Sequence, residues 1–410
     1  VVENLETIDQ AMERCRTETL RLLHRIPPTL GDRQWHPDFS PIDWHFGHIA
    51  FTEALWLLPE QERKKFHTPS YQKLFRADGL SKSERCALPS RGVIEQYLGE
   101  VRASVKQVWG STDRSWDRAQ ARLRWWLLQH EVQHSETISF LSHLAGIDLG
   151  VNSQIPGDEC PEPVLEATMV PIPAGGFYQG SEQIWAQDNE RPVHWVEVEQ
   201  FWLDKYPVTQ AQYQQFIDAG GYQQSKYWTE AGWQWRSMAN VTAPLYWHPE
   251  SNTQNHPVYG VSAYEAEAYA NFVGKRLPTE QEWERAARWS GQHNSSTYPW
   301  EETLPTKEQC NFNNHRGRTT PVHYYDQGRN QGGCYDLLGN VWEWTASTFE
   351  PYDNFQPYPY RGYSQAYFDG EHRVMRGGSW ATRSWGLRAS FRNWYHPWTR
   401  QVLVGFRCAS

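Results

Sequence analysis

The chain has 410 residues and a formal net charge of −9, a length that calls for two domains of unequal size and a charge that argues against nucleic acid or an anionic membrane as main partner. The N-terminus runs Val-Val-Glu-Asn-Leu-Glu, without a basic region followed by an apolar one, and no apolar run is long enough to span a bilayer, so the expectation is a soluble, cytoplasmic monomer. Six scattered cysteines lack CxxC spacing and predict neither a disulfide framework nor a cysteine zinc site, whereas 23 tryptophans beside 29 glycines and 25 prolines suit a loop-rich domain and a pocket for a cationic ligand.

Residues 3–26 carry apolar side chains at helical spacing and stop before Pro27-Pro28, predicting a first helix. A second is expected from Ser40-Pro41, with serine as cap and proline in the first turn, through Trp44, His45 and His48 to Leu58. Residues 60–90 read as a long polar loop, and two further helices are expected over about 90–109 and 113–145. Four helices with one long connection predict a four-helix bundle over 1–150, a fold that builds metal sites between facing helices. Residues 151–166, rich in Gly and Pro, read as a linker. Beyond them, over 167–410, only 207–218 and 262–289 keep helical spacing, while runs such as 169–173 and 194–198 look like short strands, so this domain should be α+β with little regular structure.

The chemistry concentrates in His130-Glu131-Val132-Gln133-His134. On a helix, His130 and His134 lie one turn apart, on the face that also carries Trp126, Leu127, Ile138 and Leu141. Imidazoles on a core-facing stripe need partners; they can be hydrogen-bonded core residues, or they can share a metal ion. A third ligand would come from the second helix, where His48 is preferred to His45 because it shares a stripe with Trp44, Phe51 and Leu55; His45 is then a core histidine or a support for a ligand. The same residues match HExxH, in which Glu131 would be the general base of a zinc hydrolase, but no further ligand follows at metzincin spacing. Glu131 is expected off the metal-facing stripe, as a supporting or surface charge. Three histidines with open positions suit iron(II), zinc or copper, and spacing does not choose among them.

The second domain contains Arg276-Leu277-Pro278-Thr279-Glu280-Gln281-Glu282-Trp283-Glu284, Gly339-Asn340-Val341-Trp342-Glu343-Trp344, Arg376-Gly377-Gly378-Ser379-Trp380 and Gly405-Phe406-Arg407-Cys408 in order, and so resembles the formylglycine-generating-enzyme (C-type-lectin-like) fold. The working cysteines that family carries after RGGS are missing, since Ala381 to Leu387 contains none. Joined to a DinB-like bundle with HxxxxE after His48, the whole resembles the ergothioneine-biosynthesis sulfoxide synthases (EgtB-like), with selenoneine synthases as near relatives.

That resemblance implies Fe(II) held by His48, His130 and His134, and an O2-dependent oxidoreductase that joins a thiol, cysteine or γ-glutamylcysteine, to the imidazole C2 of hercynine. It implies that the second domain completes the active site, with Tyr360 donating a proton or hydrogen bond during oxygen chemistry and Gln133, Tyr363, Asn393 and Trp394 contacting hercynine. Where the γ-glutamylcysteine branch continues with an aspartate and an arginine pair, this chain has Tyr395-His396-Pro397-Trp398-Thr399-Arg400. Arg400, with Lys82 or Arg85, remains to hold a donor carboxylate, Lys82 and Arg85 being otherwise solvated loop charges; a selenosugar donor stays open. A non-catalytic binding module and the zinc hydrolase are the readings from other classes.

Overall fold

The computed structural model describes residues 7–109, 117–150, 165–248, 253–289 and 296–410. The chain divides into two compact units, Val1–Gly150 and Val151–Ser410; the expected linker falls almost wholly outside the described residues.

The first unit is helical: α1 (Ile8–Arg25), α2 (Pro28–Gly31), α3 (Ile42–Leu57), α4 (Glu60–Phe66), α5 (Pro69–Phe75), α6 (Arg91–Trp109) and α7 (Arg118–Leu144). Thr7 and Gln10 form a reciprocal capping box that starts α1, and the Asp117 side chain accepts from the Gln120 amide to start α7. The long helices α1, α3, α6 and α7 make the bundle, with α3 packed on α6 and α7, and α1 on α7. Nearly every residue of α3 is buried, polar ones included, so it is the central helix.

Two expectations are overturned here. Ser40 does not cap α3; Pro41 occupies the cap position without a side-chain bond, and the Ser40 hydroxyl instead accepts from Arg85 Nη1 at 2.8 Å. Residues 60–90 are not a bare loop. Pro59 opens α4, and Thr68 with Pro69 in the first turn opens α5, the Thr68 hydroxyl accepting from the Tyr71 amide. A 3-10 turn over Lys82–Cys86 follows. These helices are too short for apolar periodicity to register, and their caps are the sequence signal that counts.

Helix α5 packs closely on α3 at one small residue. A Cβ built on Gly47 would lie 2.1 Å from Phe75 Cε1 and 2.4 Å from Cζ, and the Phe75 ring is fully buried. Gly47→Ala should therefore push Phe75 off α3 and destabilise the protein by about 1–3 kcal/mol, the usual cost of overpacking. Thermal unfolding checks this; an unchanged midpoint would contradict the close packing of α5.

The second unit contains α8 (Gln210–Asp218), α9 (Glu230–Met238), α10 (Ala263–Phe272) and α11 (Glu280–Arg288), with short strands between. β1 (Met169–Ile172) pairs antiparallel with β4 (Phe201–Asp204), and β2 (Gly175–Gln179) with β3 (His194–Val198). β5 (Trp342–Thr348), β6 (Arg373–Arg376), β7 (Asn393–Tyr395) and β8 (Val404–Gly405) form a mixed sheet in the order β7-β6-β5-β8. The expected single helix over 262–289 is two, because Gly274 at φ +70° ends α10 and the Thr279–Glu282 capping box starts α11. Helix α9 escaped the sequence reading.

The recognisable motifs hold this unit together. Trp283 is wholly buried and donates to Glu343 at 2.7 Å, and Glu343 also pairs with the buried Arg407. Trp344 donates to the Val261 carbonyl at 2.9 Å. Among the described residues, no helix is long and apolar enough to cross a membrane.

Candidate metal centre

Helices α3 and α7 face each other with histidines. His48 and His130 meet Nε2 to Nε2 at 3.2 Å, and the rings of His130 and His134 have centroids 4.4 Å apart. One ligating atom from each of His48, His130 and His134 can be chosen so that all lie within 4.8 Å of one another. They form the one such three-residue group of metal-ligating side chains among the described residues.

The surroundings aim and neutralise these rings. His48 Nδ1 donates to the Phe75 carbonyl at 2.6 Å, which leaves Nε2 as the lone-pair nitrogen, and Trp44 stacks on the ring at 4.6 Å and 12°. His45 meets His134 Nδ1 to Nδ1 at 2.8 Å. Burial, above all, keeps the imidazoles uncharged: it lowers His48 to about 4, with the Phe75 carbonyl opposing and Arg85 assisting. Burial and then the neighbouring His48 and Arg85 lower His45 to about 3. His130 and His134 are pushed down for the same reason, desolvation first and neighbouring histidines next. Neutral imidazoles whose free nitrogens converge are a ready set for a divalent transition metal.

Glu131 is neither a surface charge nor a base beside this cluster. It lies buried, accepting from Arg16 Nε at 3.0 Å, Arg16 Nη2 at 3.1 Å, Thr19 Oγ1 at 2.7 Å and Arg102 Nη2 at 3.4 Å. Desolvation opposes its charge, but Arg16 and Arg102 outweigh it and hold the carboxyl at about 2. The glutamate that a hydrolytic HExxH needs is thus committed to two arginines. Glu53, the acid of HxxxxE, completes the group through Arg16 Nη2 at 2.6 Å and Arg102 Nε at 2.5 Å. Helices α1, α3, α6 and α7 are tied together by this quartet. Sequence reading missed Arg16 and Arg102, although arginines among the apolar positions of α1 and α6 were the available signal.

Gln133 is half-buried on α7 beside His134. Arg85 is buried: it donates to Ser40, to the Leu80 carbonyl at 3.1 Å and to the Ala77 carbonyl, and lies 4.2 Å over the Trp44 ring. It is a staple of the 76–86 segment rather than a solvated charge. Lys82 is exposed and donates to the Asp38 carbonyl.

In the second unit, Trp394 stacks on Phe349 at 4.3 Å and 6°, and Tyr363 and Tyr367 approach it at 6.3 and 5.5 Å. Tyr360 is 42% exposed, with its ring 6.5 Å from that of Tyr363. Asn393 is half-buried, its side-chain oxygen accepting from the Trp394 amide at 2.9 Å. The structure therefore gathers Tyr360, Tyr363, Asn393 and Trp394 into one aromatic neighbourhood. Arg400 stands apart from it: its guanidinium pairs with the buried Glu265 at 2.9 and 3.0 Å and bonds the Ala243 carbonyl.

Comparison with known proteins agrees with this two-part design. Residues 157–410 match the sulfatase-modifying factor enzyme 1-like domain. The chain is 37% identical to a hercynine oxygenase of Mycolicibacterium thermoresistibile over 96% of its length and 92% of the relative's. It is likewise 37% identical to a hercynine oxygenase of Mycobacterium tuberculosis, over 97% of each chain. The formylglycine-generating enzyme of Mus musculus matches only 61% of the chain, at 31% identity. The chain belongs to the hercynine oxygenase, EgtB-like, family.

Proposed function

We propose that this protein is a non-haem iron(II), O2-dependent sulfoxide synthase of ergothioneine biosynthesis, which joins a thiol to the imidazole C2 of hercynine. The observation that carries the reading is the convergence of three neutral histidines, His48 and His130 buried and His134 half-buried, within 4.8 Å, in a chain that matches hercynine oxygenases over nearly its whole length. Bound by His48, His130 and His134, iron(II) would supply dioxygen activation and an anchor for the thiolate. The reaction balances as hercynine C2–H plus RSH plus O2 giving the C2–S(=O)–R sulfoxide and water, the four electrons coming from C–S bond formation and oxidation of the sulfur.

The chain's own groups have separable tasks. His45, with its Nδ1 2.8 Å from His134 Nδ1, holds the His134 ring in orientation, and with Nδ1 engaged there Nε2 would be the nitrogen left to ligate. The faces of Trp394 and Tyr363 attract the trimethylammonium of hercynine, which offers no hydrogen-bond donor. Asn393 meets the betaine end, Gln133 the imidazole or its carboxylate, and the exposed phenol of Tyr360 delivers a proton during oxygen reduction. The two arginines that the resemblance offers for donor carboxylates are already engaged, Arg85 by loop carbonyls and Arg400 by Glu265. This favours a smaller donor such as cysteine, with a selenosugar as the alternative.

Oxygen uptake by the iron-reconstituted protein tests the proposal. Consumption should require hercynine together with one member of a panel of cysteine, γ-glutamylcysteine and a selenosugar; no uptake with any pair would refute it.

A further inference from the structure

We propose that Asp188 is a positioning residue: its buried carboxylate clamps both ends of the stretch 358–364 and so presents Tyr360 and Tyr363. The tyrosines' role rests on the hercynine reading, but the clamp itself does not. Asp188 heads a 3-10 turn over Asp188–Glu190 and is fully buried. Its Oδ1 accepts from Ser364 Oγ at 2.6 Å and its Oδ2 from the Tyr358 amide at 3.1 Å. Ser364 Oγ also accepts from Asn189 Nδ2 at 3.0 Å, so the hydroxyl is gripped from two sides. Between these anchors the Tyr363 amide donates to the Tyr360 carbonyl at 3.2 Å, closing the stretch into a turn.

The same short turn reaches the other aromatic segment. The Asn189 carbonyl accepts from Arg392 Nη1 at 2.9 Å, next to Asn393 and Trp394. Glu190 accepts from Arg388 Nε at 2.8 Å and Ser390 Oγ at 2.6 Å. Three consecutive residues therefore hold the two segments whose side chains Tyr363 and Trp394 meet edge to face at 86°. A carboxylate suits the post because it offers two acceptor oxygens to two donors and makes charge-assisted bonds. Asparagine has one acceptor and no charge: with its oxygen on the Tyr358 amide its NH2 would face Ser364 Oγ, which already accepts from Asn189 Nδ2, so the charge-assisted bond from the hydroxyl is lost. Burying an acid is costly unless such donors are present, so the observed pairing is a feature the fold must maintain.

Trypsin reads the clamp directly, since Arg361 lies exposed within the stretch. In the full-length, iron-loaded protein, Asp188→Asn and Ser364→Ala should each speed cleavage after Arg361 by about tenfold, the ratio expected for loss of one charged hydrogen bond. Iron content should stay unchanged. The KM for hercynine should rise by a similar factor, and Asp188→Asn should add little in a Tyr363→Ala background, where the aromatic face is already gone, as expected of residues acting as one unit. Unchanged cleavage in Ser364→Ala, the milder variant, would overturn the clamp even if Asp188→Asn fails to fold. Faster cleavage with an unchanged KM would overturn the presentation of the tyrosines. A wild-type protein that neither consumes oxygen with hercynine nor binds it, yet shows the cleavage difference, would keep the clamp and sink the hercynine reading.

Discussion

Replacing His134 by alanine is expected to strip the protein of iron. It removes one of three convergent nitrogens and leaves His48 and His130, whose Nε2 atoms face each other at 3.2 Å, as a two-point site. Loss of a ligand should exceed the effect of losing a ligand's supporting residue, which is usually about 10–100-fold in affinity. A loss of more than about 100-fold is therefore expected, read as iron retained after desalting and as the midpoint of an anaerobic Fe(II) titration. His45→Phe provides the graded comparison. It keeps a ring against Trp44 but deletes the nitrogen 2.8 Å from His134 Nδ1, so iron should bind about 10–100-fold more weakly while still binding. Full iron occupancy in His134→Ala would remove that residue from the metal set.

The second large effect is on stability. Arg102→Ala leaves Glu53 and Glu131 buried with Arg16 alone to share, and breaking a buried ion pair by deleting one partner typically costs about 3–5 kcal/mol. For a unit of this size that corresponds to a fall of roughly 10 °C in the first thermal transition. Acid should act on the same cluster. Burial works to raise Glu53, but Arg102 and Arg16 prevail and hold it below its ordinary range, as they hold Glu131 at about 2. Both acids are depressed in the folded state, so their contribution is complete above the ordinary value of 4.5 and is lost as pH falls toward 2. Unfolding of the wild type followed from pH 6 to pH 2 should show that decline, and Arg102→Ala should show a shallower one. An unshifted melting transition in Arg102→Ala would show that the quartet does not hold the bundle.

Much of this was legible because it was local. His130 and His134 on one helical face, with His48 on a helix rich in aromatic residues, could be read from spacing, and the tryptophan motifs of the second unit from their order. What escaped was non-local. Nothing near Glu131 in sequence announces Arg16 or Arg102, which are separated from it by 115 and 29 positions. Arg85 looked solvated because its carbonyl partners come from turns that periodicity does not reveal. Arg400 looked available because Glu265, the capping acid of α10, lies 135 positions away. Helices α4, α5 and α9 were hidden by their brevity, since a helix of one or two turns is set by caps and packing more than by an apolar stripe.

Product mass tests the central claim most directly. Iron-loaded protein should be incubated with hercynine and each donor under isotopically labelled dioxygen. The expected product weighs hercynine plus donor plus one oxygen less two hydrogens, with the label retained in the sulfoxide and the other oxygen atom leaving as water. Consumption of oxygen with recovery of unchanged hercynine, or a product that carries no label, would contradict an O2-dependent sulfoxide synthase.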